Sequence, residues 1–316
     1  MNWNLLSGIY GSVAGARNAL YDRGWLRSRS LQGSVISVGN LSAGGSGKTP
    51  FVILLGELLK ARGIGFDVLS RGYGRRTHGV LLVDPGGLPQ DFGDEPLLIA
   101  RRLQVPVVVG EDRSEAGHFA EARFGVQVHL LDDGFQHRQL ARDIDIVLVN
   151  SKDLGDRLLP AGNLRESLPA RRRATVLAVP VEDDAAVAWL RGLGLTQAVW
   201  RFRREMVVPE VAGSVVAFCG IARPEQFFLG IVATGVTIAA RRVFRDHHRF
   251  RAADLLEVER MADRSGARAV LTTEKDRVRI GDLAVHLGPA PLLTVGLNIS
   301  FDDPVAVAKT VLARLH

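Results

Sequence analysis

The sequence predicts an α/β protein: a first domain of mainly parallel strands with helical crossovers, then a second, smaller α/β domain. Three observations predict it. Short apolar runs rich in β-branched residues begin at Val35 and recur at Phe66 to Ser70, Val105 to Val109, Val126 to Leu131, Ile144 to Val149 and Val176 to Val179, with helical or loop segments between them. The run from Trp200 to Val208 alternates polar and apolar residues, as an exposed antiparallel ribbon does. A second set of strand-like runs follows, at Val215 to Cys219, Val236 to Ala239 and Ala269 to Thr272. The interdomain connection therefore falls near residues 200–210. It divides the chain into 1–199 and 200–301, with a last helix, 302–316, expected to pack back onto the first domain.

Composition bounds the partners. The 316 residues, 47% of them apolar, suffice for two domains with real cores. Forty Lys and Arg against 34 Asp and Glu leave a net charge of +6, which permits anionic partners and selects none. A single cysteine, Cys219, excludes an intrachain disulfide framework. No run reaches the roughly 18–20 apolar residues of a membrane-spanning helix. Aromatics are few and not interleaved with the arginines, which argues against a nucleic-acid groove.

The first element is a helical stripe, Trp3, Leu6, Tyr10, Val13 and Leu20, widened by Leu5, Ile9 and Ala14 and followed by Arg17, Arg23, Arg27 and Arg29. It reads either as an amphipathic helix lying in a membrane interface or as a helix packed on the protein's own core. The first strand then runs into Ala43-Gly44-Gly45-Ser46-Gly47-Lys48-Thr49 and a helix over Phe51 to Ala61. Strand, glycine loop, Lys-Thr and helix make a phosphate-binding P-loop. Glycines let backbone N–H groups approach phosphate oxygens, the helix N-terminus favours the anion, Lys48 reaches the terminal phosphates and Thr49 ligates Mg²⁺. The usual pattern opens with a glycine where this chain has Ser42, so Gly44 and Gly45 are expected to supply the permissive backbone.

Later strands end in residues suited to the same anion. Arg71-Gly72-Tyr73-Gly74-Arg75-Arg76 follows the second strand. Asp94 in Gly93-Asp94-Glu95-Pro96 sits where an N-cap would, so capping is its structural reading. Arg113 lies just past the Val105 to Val109 strand. Asp132-Asp133-Gly134-Phe135-Gln136-His137 ends the next strand, and an acidic strand end downstream of a P-loop is a Walker B pattern, suited to hard Mg²⁺. Leu159 to Glu166 reads as a loop with helix-start character, in which Arg165 is a candidate phosphate clamp. Asp246-His247-His248-Arg249 is the most chemical stretch of the second half, and Asn150 to Asp153 and Thr273 to Asp276 only faintly echo a guanine-reading motif.

Taken together, the Val38 to Pro50, Ser70 to Arg75, Gly93 to Pro96, Asp132 to His137, Leu159 to Glu166 and Asp246 to His248 motifs resemble the tetraacyldisaccharide 4′-kinase family, the lipid A 4′-kinases of Gram-negative bacteria. The resemblance covers almost the whole chain, and Ser42 is ordinary within it. It implies two α/β/α domains joined by a short β-ribbon, with the active site between them. It implies ATP as donor, the 4′-hydroxyl of a tetraacyldisaccharide 1-phosphate as acceptor and lipid IVA as product. It also implies a peripheral place on the cytoplasmic face of the inner membrane, through the N-terminal helix. Site roles follow as expectations: Lys48 and the loop amides on the phosphates; Thr49 and Asp133 on Mg²⁺, supported by Asp132; Asp94 as base, paired with His247; and Arg113, His137, Arg165 and Glu166 as phosphate or acceptor contacts. The rival reading is a P-loop GTPase or metallochaperone-like switch with no lipid acceptor.

Overall fold

The computed structural model describes residues 3–45 and 47–315; Ser46 of the predicted phosphate loop lies outside them. In chain order the strands are β1 Ser34–Asn40, β2 Phe66–Ser70, β3 Leu81–Leu82, β4 Val107–Val109, β5 Val128–Asp132, β6 Ile144–Leu148, β7 Val176–Pro180, β8 Ala198–Val207, β9 Val215–Cys219, β10 Ile238–Val243, β11 Ala269–Thr273 and β12 Leu292–Phe301. The helices are α1 Trp3–Asp22, α2 Lys48–Lys60, α3 Pro89–Phe92, α4 Asp94–Leu103, α5 Arg113–Phe124, α6 Asp184–Arg191, α7 Pro224–Ala233, α8 Ala252–Ser265, α9 Glu274–Ile280 and α10 Pro304–Leu312.

All described strands join one twelve-stranded sheet, in the order β10-β9-β11-β12-β8-β7-β6-β1-β5-β2-β4-β3. Every neighbouring pair is parallel except β3–β4 and β8–β12. The β-branched runs that form β1, β2, β5, β6, β7 and β9 are buried at every residue, as parallel strands covered by helices on both faces must be. β8 instead alternates exposed and covered positions. The ribbon is thus not a free tether, because each of its strands also pairs with a sheet: Ala198–Phe202 with β7, and Leu292–Val295 with β11.

This ribbon sets the geometry of the site. β8 leaves the edge of β7 and continues to Val207, where it pairs antiparallel with β12. The reversal makes β9, β10 and β11 run opposite to β1, β2 and β4 through β7. The carboxyl ends of both strand sets therefore face each other across a cleft, and ligands of α/β sheets bind at such ends. Phe51 of α2 locks the arrangement, packing edge-on against Phe202 at 5.2 Å and Phe301 at 5.6 Å. α10 adds Val307, Ala308 and Val311 to the core that contains Phe51.

One expectation changes, and one open alternative closes. Leu159 to Glu166 starts no helix. It is a loop pinned by short bridges from Leu164 to Leu158 and from Leu164 to Ser42, and the next turn is 3₁₀, at Leu168–Arg173. The N-terminal stripe is not a core face: α1 buries only Ser7, and Trp3, Leu5, Ile9 and Val13 are each more than half exposed. Its attachment is polar. The Ser7 hydroxyl donates to Leu158 O at 2.8 Å, Tyr10 to Arg165 O at 3.0 Å, Arg17 to Gln136 O at 2.8 Å and Asn18 to Glu166 at 2.5 Å. No described helix is long and apolar enough to cross a membrane.

Candidate active site

The phosphate loop is shaped by backbone conformations that only glycine adopts freely. Gly44 and Gly47 have φ of 88° and 85°. Gly45 does not, which corrects the expectation that Gly44 and Gly45 together stand in for the missing first glycine. Ser42 needs no such freedom, because it is buried in a strand-like bridge to Leu164 and accepts a hydrogen bond from Asn40 Nδ2 at 3.1 Å. Gly39 answers a different need: a Cβ there would lie 2.5 Å from Phe135 Cβ, so only glycine lets the loop after β5 close over β1.

Lys48 Nζ donates to Asn40 Oδ1 at 2.9 Å and lies 3.4 Å from Asp133 Oδ1. Thr49 is buried beside it at the helix start. Asp133 adopts φ 52°, a left-handed conformation that is uncommon outside glycine and concentrates at functional sites. Arg165 grips its other oxygen at 2.7 Å. Burial alone would raise the Asp133 carboxyl, but Lys48 and Arg165 outweigh it and hold it below the usual range. Asp132 behaves oppositely. Burial, then Glu95 and Asp133, push it up to about 7. One oxygen accepts from Ser70 Oγ at 3.3 Å, and Oδ1 is buried with no partner among the described residues.

That orphaned oxygen, in a crowd of carboxylates, is the donor set a hard divalent cation relieves. No group of three or more His, Cys, Asp or Glu side chains among the described residues is arranged to hold a metal alone. A site sharing its ion with phosphates and water, as Mg²⁺ prefers, fits both facts.

The remaining candidates divide. Arg113 heads α5 with its guanidinium buried and Nε unpartnered among the described residues; burial and neighbouring Arg71 lower it to about 10, so it stays charged. Burial and Arg113 lower His137 to about 4, leaving a neutral ring whose Nε2 has no partner among the described residues. Glu166 has both oxygens engaged, by Arg173 at 3.1 and 2.9 Å and by Asn18. In the structure it ties α1 to the loop of Arg165. Arg75 is likewise held, by Glu111 and Gly79 O, each at 2.7 Å.

The opposite wall comes from the second half. Asp94 is the first residue of α4 rather than its cap; Gly93 takes that place, with no side-chain cap bond. Its capping reading is therefore overturned. The carboxylate instead crosses the cleft: Oδ2 lies 3.3 Å from His247 Nδ1 and accepts from Arg279 Nε at 2.7 Å. His247 has φ 56° and packs edge-on to Tyr73, ring centres 5.2 Å apart. Burial would raise Asp94, but His247 and then Arg279 drive it far below the ordinary carboxylate range. The bond from Asp94 in turn raises His247. His248 packs at the edge of the second half's core, stacked on Phe244 and bonded to Asp254 at 3.0 Å.

Sequence reasoning missed three ion pairs here. Glu95 pairs with Lys275 and lies close enough to Asp132 to shift it. Arg102 pairs with Glu274, and Arg279 with Asp94. The signal was present only in part: Thr273 to Asp276 attracted notice as a base-reading echo, whereas the structure uses Glu274 and Lys275 to bridge the cleft.

A glycine loop ending in Lys48-Thr49, an acidic strand end beside it and a cleft closed by a second α/β unit define a P-loop protein built to handle a nucleoside triphosphate. Comparison with known proteins sharpens the class. Residues 3–316 match the tetraacyldisaccharide-1-P 4′-kinase family. The tetraacyldisaccharide 4′-kinase of Koribacter versatilis (strain Ellin345) is 44% identical, over 98% of this chain and 97% of that one. That of Syntrophus aciditrophicus (strain SB) is 40% identical, over 90% and 85%. The crystal structure of LpxK from Aquifex aeolicus in complex with ATP matches with a TM-score of 0.79 at 33% identity, covering 98% of each chain. The chain belongs to the tetraacyldisaccharide-1-P 4′-kinase family.

Proposed function

We infer that this chain carries out its family's reaction with the residues above: the γ-phosphoryl group of ATP passes to the 4′-hydroxyl of a tetraacyldisaccharide 1-phosphate, giving lipid IVA. Phosphoryl transfer asks a protein mainly for alignment and charge neutralisation. Lys48, the glycine-loop amides (with those of Ala43 and Ser46), Arg113 and Arg165 bind and orient the phosphates; His137 and Glu166 support them. Thr49, Asp132 and Asp133 are the residues to hold Mg²⁺, with Glu95 alongside. When bound, that ion would neutralise charge on the phosphate oxygens. Asp94 accepts the proton of the sugar hydroxyl, and His247 holds it from the opposite wall. A carboxylate this acidic is a weak base by itself, so its contribution is position and charge near the leaving proton more than proton affinity.

The observation that carries this reading is the Asp94–His247 contact of 3.3 Å between residues 153 positions apart. A hydrolytic switch needs no such pair. The test is ³²P transfer from labelled ATP: label recovered in the disaccharide lipid supports the reading, and label recovered only as inorganic phosphate rejects it in favour of the GTPase-like switch.

We further propose that the protein is peripheral on the cytoplasmic face of the inner membrane. The support is α1, which turns an apolar stripe outward while its polar side chains hold the loop carrying Arg165. Interfacial helices bury such a stripe among acyl chains. Finally, we propose that 1–199 with 302–316, and 200–301, act as the two bodies of the cleft, so that closure and catalysis are coupled.

A further inference from the structure

Arg279 touches both walls of the cleft and His247 as well. It lies on α9 and is nearly buried, 6% exposed. Nη1 donates to Gly220 O at 2.6 Å and to Asp276 Oδ1 at 2.9 Å, both in its own half. Nε, at 2.7 Å, and Nη2 donate to Asp94 Oδ2 of the other half. Nη2 also lies 3.2 Å from His247 Nδ1. All contacts of the Asp94 carboxylate therefore fall on Oδ2, and Oδ1 receives none among the described residues. A guanidinium can do this because its donors form a rigid planar fork; an ammonium cannot hold both sides at once.

We propose that Arg279 is the positioning residue for Asp94, clamping Oδ2 from the far wall so that Oδ1 is presented to the acceptor hydroxyl only when the two halves are together. The proposal rests on the reading of Asp94 as the proton acceptor. It makes cleft closure and readiness of the base one event, because the group that orients the carboxylate is anchored to the opposite half through Gly220 and Asp276. His247 then meets an oxygen whose direction is already set, and His247 Nδ1 and Arg279 share it.

A double-mutant cycle tests this on the full-length protein. Arg279→Ala should lower single-turnover phosphoryl transfer on the order of 10²-fold, the scale of a misplaced reacting group, with KM for ATP within about twofold of wild type. In an Asp94→Asn background the same change should cost less than about threefold, because there is no carboxylate left to position. Since Arg279→Ala strips two buried carboxylates of their partner, the cycle is repeated with Arg279→Lys. That variant keeps the charge, should melt near wild type, and should still lose about tenfold in kcat because the fork is gone. Equal losses in both backgrounds, a parallel rise in KM for ATP, or full activity of a folded Arg279→Lys would overturn the proposal and leave the base assignment standing. Near-wild-type transfer by Asp94→Asn would instead remove the base assignment and the proposal together.

Discussion

The two halves of the molecule bring their residues to the cleft differently. The first half carries its chemistry on contiguous motifs at the ends of fully buried parallel strands: Lys48-Thr49 after β1 and Asp132-Asp133 at the end of β5. The second half contributes scattered side chains from two separate segments, His247 from the loop after β10 and Lys275 and Arg279 from α9, and none of them makes a site alone. The first half looks like a phosphate-binding machine in any P-loop protein. The second decides what that machine is joined to, by placing partners against Asp94 and Glu95. In the proposed reaction, nucleotide chemistry and acceptor chemistry are housed in different halves and meet at α4.

The sharpest way to break this division is to remove the centre of the first half. Lys48→Ala should weaken ATP binding and lower kcat/KM by about 10³-fold, the scale of a lost electrostatic donor, measured by initial rates of lipid phosphorylation. A loss confined to the lipid's KM would contradict the division. A smaller effect is expected for the cross-cleft pair. Glu95→Gln and Lys275→Met should each slow transfer, and their double mutant should be less impaired than the product of the two, with a coupling of roughly 0.5–3 kcal/mol in kcat/KM. Independent effects would mean that the contact does not couple the halves.

Asp132 offers a test by pH. Its carboxyl rises from 3.8 to about 7 in the fold. The native protein therefore holds a proton that the unfolded chain has released, and this group's contribution to stability is lost as pH rises between those values. Asp132→Asn should raise Tm by a few degrees at pH 8 and by less at pH 5, while abolishing transfer. Adding Mg²⁺ should stabilise wild type at pH 8 and not the variant, read by thermal melting. The smallest effect on chemistry is expected at α1. Changing the outward residues Trp3, Leu5, Ile9 and Val13 to serine should release the protein from anionic vesicles. Turnover on detergent-dispersed acceptor should stay within about threefold, because these side chains are each more than half exposed and the polar bonds from α1 to the site loops come from Ser7, Tyr10, Arg17 and Asn18 instead. Deleting the whole helix would be a poorer test, since Asn18 and Arg17 hold Glu166 and Gln136.

The same contrast explains what the sequence could tell. The parallel strands of the first half and the P-loop were legible because each lies within one short window and its burial follows from local composition, whereas the two-residue antiparallel β3 was not. β12 was missed because its fate as a ribbon partner depends on β8, some 90 residues earlier. Glu95 and Asp94 looked like helix-start residues because acids are common there for capping. Local pattern hides their contacts with Lys275 and Arg279, 180 and 185 positions away, and the role of Asp94 as a base paired with His247 was legible only through the family resemblance. Glu166 carried the opposite ambiguity: beside Arg165 it looked like part of an anion site, and the fold gives its oxygens to Arg173 and Asn18. Sequence windows report residue chemistry well and cross-cleft pairing hardly at all.

The central claim is that a base held across the cleft directs the γ-phosphoryl group to a sugar hydroxyl. The most direct test is the comparison of ATP affinity and lipid phosphorylation in Asp94→Ala. The account predicts ATP binding within about threefold of wild type and a kcat on the lipid acceptor lowered by 10²-fold or more, the usual weight of a positioned base. Near-wild-type kcat in a folded Asp94→Ala protein would contradict it.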